Sequence, residues 1–120
     1  MLRRRQRHPS LRTKRKKFAG HLGFVRSFQC LIADHHRCDG PVDPHHLQDG
    51  YTADIPSEER PGIGKKAHDK WTVPLCRLGA HREIHSIGQV EFEEKYGIEL
   101  MPIARELQRR SPFRKGWEHE

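Results

Sequence analysis

The segment DGPVDPHHLQDG, residues 39–50, sets His45 and His46 side by side behind Asp43 and Pro44 and between two glycines. On an extended strand neighbouring side chains point to opposite faces, and in a turn they diverge. One imidazole of such a pair can ligate a metal while the other faces a substrate. A second cluster follows in PLCRLGAHREIHSIG, residues 74–88, where His81 and His85 stand four apart. A helix starting near Gly79 puts both on one face, about one turn apart, so both can reach a single ion. Glu83 falls on a different face. Residues 69–76, DKWTVPLC, have the β-branched and aromatic content of a short strand, which Pro74 is expected to stop. The order is therefore strand, loop, strand, helix. This ββα arrangement would hold a divalent ion on three side chains and leave coordination positions open, which distinguishes a catalytic site from a structural one.

The rest of the chain is read around that unit. GHLGFVRSFQC, residues 20–30, spaces Leu22, Val25 and Phe28 by three, as a short amphipathic helix does. Residues 30–46 are dense in Asp, His, Gly and Pro and predict a knuckle or tight hairpin. Residues 48–66 hold three Gly and two Pro without periodicity, a loop long enough to suggest a functional role. QVEFEEKYG, residues 89–97, reads as a helix with Val90 and Phe92 turned inward and Gly97 as its stop. In MPIARELQRR, residues 101–110, Pro102 suits a first helical position. Residues 113–120 read as a frayed tail.

Composition limits what this fold can be. The chain has 120 residues, 33% of them hydrophobic, and a mean hydropathy of -0.94. That allows one domain with a small core, which usually needs help from a metal or disulfides. No apolar run is long enough to span a bilayer, and the N-terminus lacks the apolar stretch of a signal peptide. Cys30, Cys38 and Cys76 are an odd number, which argues against a closed disulfide framework. With ten histidines they suit metal binding in a reducing, intracellular compartment. The net charge of +7 is uneven. Residues 1–17 contain nine Lys/Arg and no acid, whereas the other 103 residues carry 14 Lys/Arg against 16 Asp/Glu. The expected organisation is a disordered basic tail over residues 1–17 and a folded domain over 18–112. Arg3, Arg4, Arg5, Arg7, Lys14, Arg15, Lys16 and Lys17 are expected to contact a nucleic-acid backbone by counterion release, without reading sequence.

The runs DPHHL (43–47), GIGKKAHDKWTVPLC (62–76), HREIHSIG (81–88) and EKYGIELMPIAREL (94–107) together resemble the HNH endonuclease superfamily. They are most similar to its small phage and prophage branch, which includes a recombination-enhancement nuclease. The resemblance covers roughly residues 21–110 and rests on the order and joint presence of these runs. It implies an α+β fold with a ββα-metal, treble-clef-like core and flanking short helices, and a metal-dependent DNA endonuclease activity in the cytoplasm of a bacterial host. Carried over residue by residue, His46 is the general base that activates water, and a neutral imidazole suits that task. His45, or Asp43 beside it, supplies a metal ligand, and His81 and His85 supply the helix pair. The ion, Mg2+, Mn2+, Ni2+ or Zn2+, would stabilise the phosphate and the leaving oxygen. Asp69 would help orient the base, and Lys65 and Lys66 could contact phosphate. A recombinase filament is a partner the resemblance admits.

Two departures stand out. The family's PLCxxHHxxxH is here PLCRLGAHREIH, and seven residues separate Cys30 from Cys38 where relatives often have two. Cys30, Cys38 and Cys76 could form a structural Zn2+ site, with His35, His36 or His81 as fourth ligand. If His81 went there, the catalytic ion would lose a ligand. The alternative function is a non-catalytic, zinc-stapled nucleic-acid-binding module. A closed tetrahedral site has no use for a second histidine facing the other way, which argues against it. A small RNA- or ribosome-associated protein is a third class, opposed by the acidic balance beyond residue 17.

Overall fold

The computed structural model describes residues 18–35, 38–48, 55–61 and 66–118. Their fold is a small α+β unit. In chain order it has α1 (Ala19–Arg26), β1 (Val42–His46), a 3-10 turn (Ser57–Glu59), β2 (Thr72–Cys76), α2 (Ala80–Ile87), α3 (Gln89–Tyr96), α4 (Leu100–Arg110) and α5 (Lys115–Glu118). Among the described residues no helix is long and apolar enough to cross a membrane.

β1 and β2 pair antiparallel, with His45 opposite Val73, His46 opposite Thr72, and Pro44 opposite Pro74. Pro74 does not stop the strand as the sequence reading expects; β2 runs through it to Cys76. The hydrogen-bonding phase explains why. The Leu47 amide donates to the Trp71 carbonyl at 3.0 Å and the Arg77 amide to the Pro41 carbonyl at 2.8 Å. Bonded and non-bonded rungs alternate along an antiparallel ladder, so the Pro44–Pro74 rung is one where neither strand needs an N–H. The Pro74 carbonyl points outward and accepts the Leu31 amide at 3.1 Å.

Apolar side chains from every layer meet around this ribbon. Ile32, Leu47, Val73, Leu75, Ile84, Phe92, Leu100 and Ala104 are fully buried in one cluster. In α2 the buried residues are Ala80 and Ile84, four apart, so this stripe fixes the helix against the sheet. Gly88, at φ 91°, ends α2 and opens α3, and Gly97, at φ 64°, ends α3 in the left-handed conformation that glycine adopts without steric penalty. The buried Glu93 carboxylate accepts the Leu100 amide at 2.8 Å and caps α4.

Several local readings are corrected. Phe28 lies beyond the end of α1, and the residues α1 buries are His21 and Val25. Phe92 turns inward but Val90 is 53% exposed. Pro102 is the third residue of α4, still within the first turn, where amides have no intrahelical acceptor to lose. Residues 115–118 form a helical turn instead of a frayed end. Of the expected loop, residues 49–54 and 62–65 lie outside the described residues, as does the basic tail. Its middle is pinned: Trp71 Nε1 donates to Glu59 at 2.9 Å and the His68 amide donates to the Glu59 carbonyl at 2.9 Å.

Candidate metal centre

The strand's period of two and the helix's period of 3.6 bring the separated histidines together. β1 turns Asp43 and His45 to one face and His46 to the other. α2 lies against the first of these faces with His81 and His85 one position beyond its buried Ala80–Ile84 stripe. The three rings pack at centroid distances of 5.2 Å (His45–His81), 5.3 Å (His45–His85) and 4.8 Å (His81–His85). One ring nitrogen from each lies within 4.8 Å of the other two. Tetrahedral bonds of ~2.0–2.1 Å set ligand nitrogens ~3.3 Å apart, so small ring rotations would bring these three onto one ion.

The donor set fits a cation in two further ways. His45 is 1% exposed, and its Nε2 has no hydrogen-bond partner among the described residues, a costly state for a buried nitrogen unless a ligand takes it. Burial, then the neighbouring His81 and His85, pushes the His45 ring down to about 3, so it stays neutral with a lone pair to give. Burial and then His81 and Lys66 also lower His85. His81 Nδ1 donates to Asp43 Oδ2 at 3.2 Å, which fixes the tautomer that leaves Nε2 as the lone-pair nitrogen. Arg77 holds that carboxylate in turn, with Nη2 at 2.9 Å and Nε at 3.0 Å, and is the first cause of its depressed pKa. Asp43 thus stands behind a candidate ligand and outside the three-nitrogen group.

On the opposite face of β1, His46 Nε2 donates to Asp69 Oδ1 at 2.8 Å. The Asp69 carboxylate is 1% exposed, and its Oδ2 accepts the Phe18 amide at 3.1 Å. Carboxylate, ring and strand therefore form one fixed unit beside the imidazole cluster. Lys66 is exposed and its charge is felt at His85. Lys65 and the basic residues from Arg3 to Lys17 lie outside the described residues.

A second group gathers Cys30, Cys38 and Cys76, whose sulfurs lie within 4.8 Å of one another and are not joined by a disulfide. The Cys38 residue is exposed, but desolvation of its sulfur, then Cys30 and Cys76 nearby, pushes its thiol up to about 12. The first amide of α2, from Ala80, donates to Cys76 Sγ at 3.2 Å. His81 sits with the imidazoles. His35 is exposed near Tyr96, at 6.4 Å between ring centroids, and His36 is outside the described residues.

Some residues of this region carry no signal in the linear sequence. Gln89 is 4% exposed, faces His45 and accepts the Gln48 amide on Oε1 at 2.8 Å. It reads as an ordinary polar residue at a helix start. Arg77 reads as a loop cation until the strand register carries it to Asp43.

Comparison with known proteins adds kinship without chemistry. No solved structure matches this chain. It is 41% identical over 73 residues to the uncharacterized protein YdfU of Escherichia coli strain K12, a match covering 60% of this chain. That match spans 18% of the relative's own length. A family model described as "Protein of unknown function (DUF968)" matches residues 7–112, and the chain belongs to that family.

Proposed function

We propose that this protein is a metal-dependent DNA endonuclease of the HNH type, hydrolysing phosphodiester bonds with His46 as general base. The observation that carries the reading is the division of labour at one dipeptide. His45 joins His81 and His85 in a three-nitrogen group, while His46 faces the other way onto the buried Asp69. A structural site needs only the first half of this arrangement.

His45, His81 and His85 would hold the ion. Bound there, it would supply positive charge for the scissile phosphate and the leaving oxygen. The chain does the rest. Asp69 fixes the His46 ring through Nε2, so the proton taken from the attacking water goes to Nδ1. The water oxygen bonds to phosphorus, the bond to the 3′-oxygen breaks, and that oxygen leaves with a proton from solvent. Lys66 and the basic residues 1–17 would hold the DNA backbone. Cys30, Cys38 and Cys76 would bind a second, structural Zn2+ at the junction of β2 and α2.

The thiol group also favours a second reading, in which zinc staples a nucleic-acid-binding module that cuts nothing. A cleavage assay on supercoiled plasmid and single-stranded DNA separates the two, run with EDTA and then with Mg2+, Mn2+, Ni2+ and Zn2+. The wild type is expected to cut only with metal. His46→Ala should lose ~10²–10⁴-fold in rate, the usual worth of a general base, with metal content unchanged. Equal activity in His46→Ala would remove the base assignment, and binding without cutting under every condition would favour the zinc-stapled module.

A further inference from the structure

We propose that the backbone amide of Phe18, seated by Trp117, is a positioning group for the Asp69–His46 pair. The inference rests on the reading of His46 as base.

A carboxylate that is 1% exposed must have its oxygens hydrogen-bonded to remain charged. Asp69 gives Oδ1 to His46 at 2.8 Å and Oδ2 to the Phe18 amide at 3.1 Å. Rotation of the carboxyl group would break both bonds, so the Phe18 amide helps set the plane in which the His46 ring is held. Phe18 is well placed to act as such a stop. Its carbonyl accepts the Leu22 amide at 3.0 Å and opens α1, so its own N–H is not committed to the helix.

The Phe18 ring is itself braced on two sides. It lies 4.8 Å from the His68 ring and meets Trp117 edge-on at 5.5 Å. Trp117 in turn sits edge-on to His21 at 4.9 Å, and His21 Nδ1 hydrogen-bonds Ser111 Oγ at 2.9 Å. The two ends of the fold therefore meet behind Asp69.

The test uses the full-length chain in the metal-dependent cleavage assay, with kcat and KM separated. Phe18→Pro removes the N–H, and Phe18→Leu keeps it. Phe18→Pro should lower kcat by ~10–100-fold, the usual effect of losing a group that orients another, with KM and metal binding little changed. Phe18→Leu keeps the amide but loses the ring contacts with Trp117 and His68, so it should lower kcat far less than Phe18→Pro. Trp117→Ala leaves the amide in the chain but removes its brace, so it should lower kcat less, and Trp117→Phe should restore it. Circular dichroism identifies any variant that has merely unfolded. Equal kcat for Phe18→Pro and Phe18→Leu, or a Trp117→Ala effect confined to KM, would overturn this inference alone. A wild type that cuts nothing would overturn it together with the nuclease reading.

Discussion

His45 and His46 share a strand and a chemistry, yet their surroundings differ in kind. His45 is enclosed by other imidazoles, and its pKa is depressed to about 3, first by burial and then by those neighbours. His46 faces a carboxylate that is itself buried and tied to a distant backbone amide. A neutral ring whose Nε2 lacks a partner among the described residues is prepared to donate an electron pair to a cation. The ring that a carboxylate orients is the one proposed as the base. The difference arises from the pleat of the strand: one residue of translation along β1 separates the candidate ligand from the proposed base.

The largest effect should come from crossing the two positions. His45→Ala should lose Mn2+ binding and cutting together, whereas His46→Ala should lose only cutting. Isothermal titration with Mn2+, an ion that suits imidazoles better than thiols, alongside the cleavage assay reads both. Mn2+ binding retained in His45→Ala would erase the distinction between the neighbours.

A smaller effect should follow from Asp43→Ala, which releases His81 and leaves the three nitrogens in place. Loss of a partner behind a ligand typically weakens metal binding ~10–100-fold. Unchanged affinity would mean that the Asp43–His81 contact serves only the Arg77 ion pair.

The smallest concerns pH, with His21 as a buried imidazole outside the three-nitrogen group and hydrogen-bonded to Ser111. Burial lowers its pKa from 6.5 to about 4, outweighing the opposing charge of Asp69. Between those values the unfolded chain binds a proton that the folded chain refuses, so stability falls as pH drops through this window. The loss is complete near pH 4 and amounts to at most ~3 kcal/mol. His45 contributes in the same direction, so His21→Gln should flatten the fall in melting temperature without abolishing it. An identical pH profile in His21→Gln would show that this ring titrates normally.

What the linear sequence revealed was what depends on near neighbours. Two adjacent histidines on a strand must diverge, and two histidines four apart on a helix must converge; the fold honours both. Gly97 as a helix stop is equally local. The missed features depend on partners far along the chain. Pro74 survives in a strand because of what lies opposite it. Trp117 looks dispensable until Phe18 and His21 come to meet it. Val90 faces outward because the packing of α3 is decided by Phe92. Spacing cannot announce contacts such as His21 with Ser111, ninety positions apart.

The facing prolines of the ribbon bear on how the dipeptide keeps its assignment. In a two-stranded sheet, slippage by a single residue turns every side chain to the opposite face. Here that would exchange His45 and His46, delivering the wrong imidazole to each environment. Pro44 and Pro74 occupy the central rung, and a one-residue slip would require at least one of them to donate a hydrogen that it does not possess. The misregistered ribbon is therefore penalised at its middle, whatever the two histidines go on to bind.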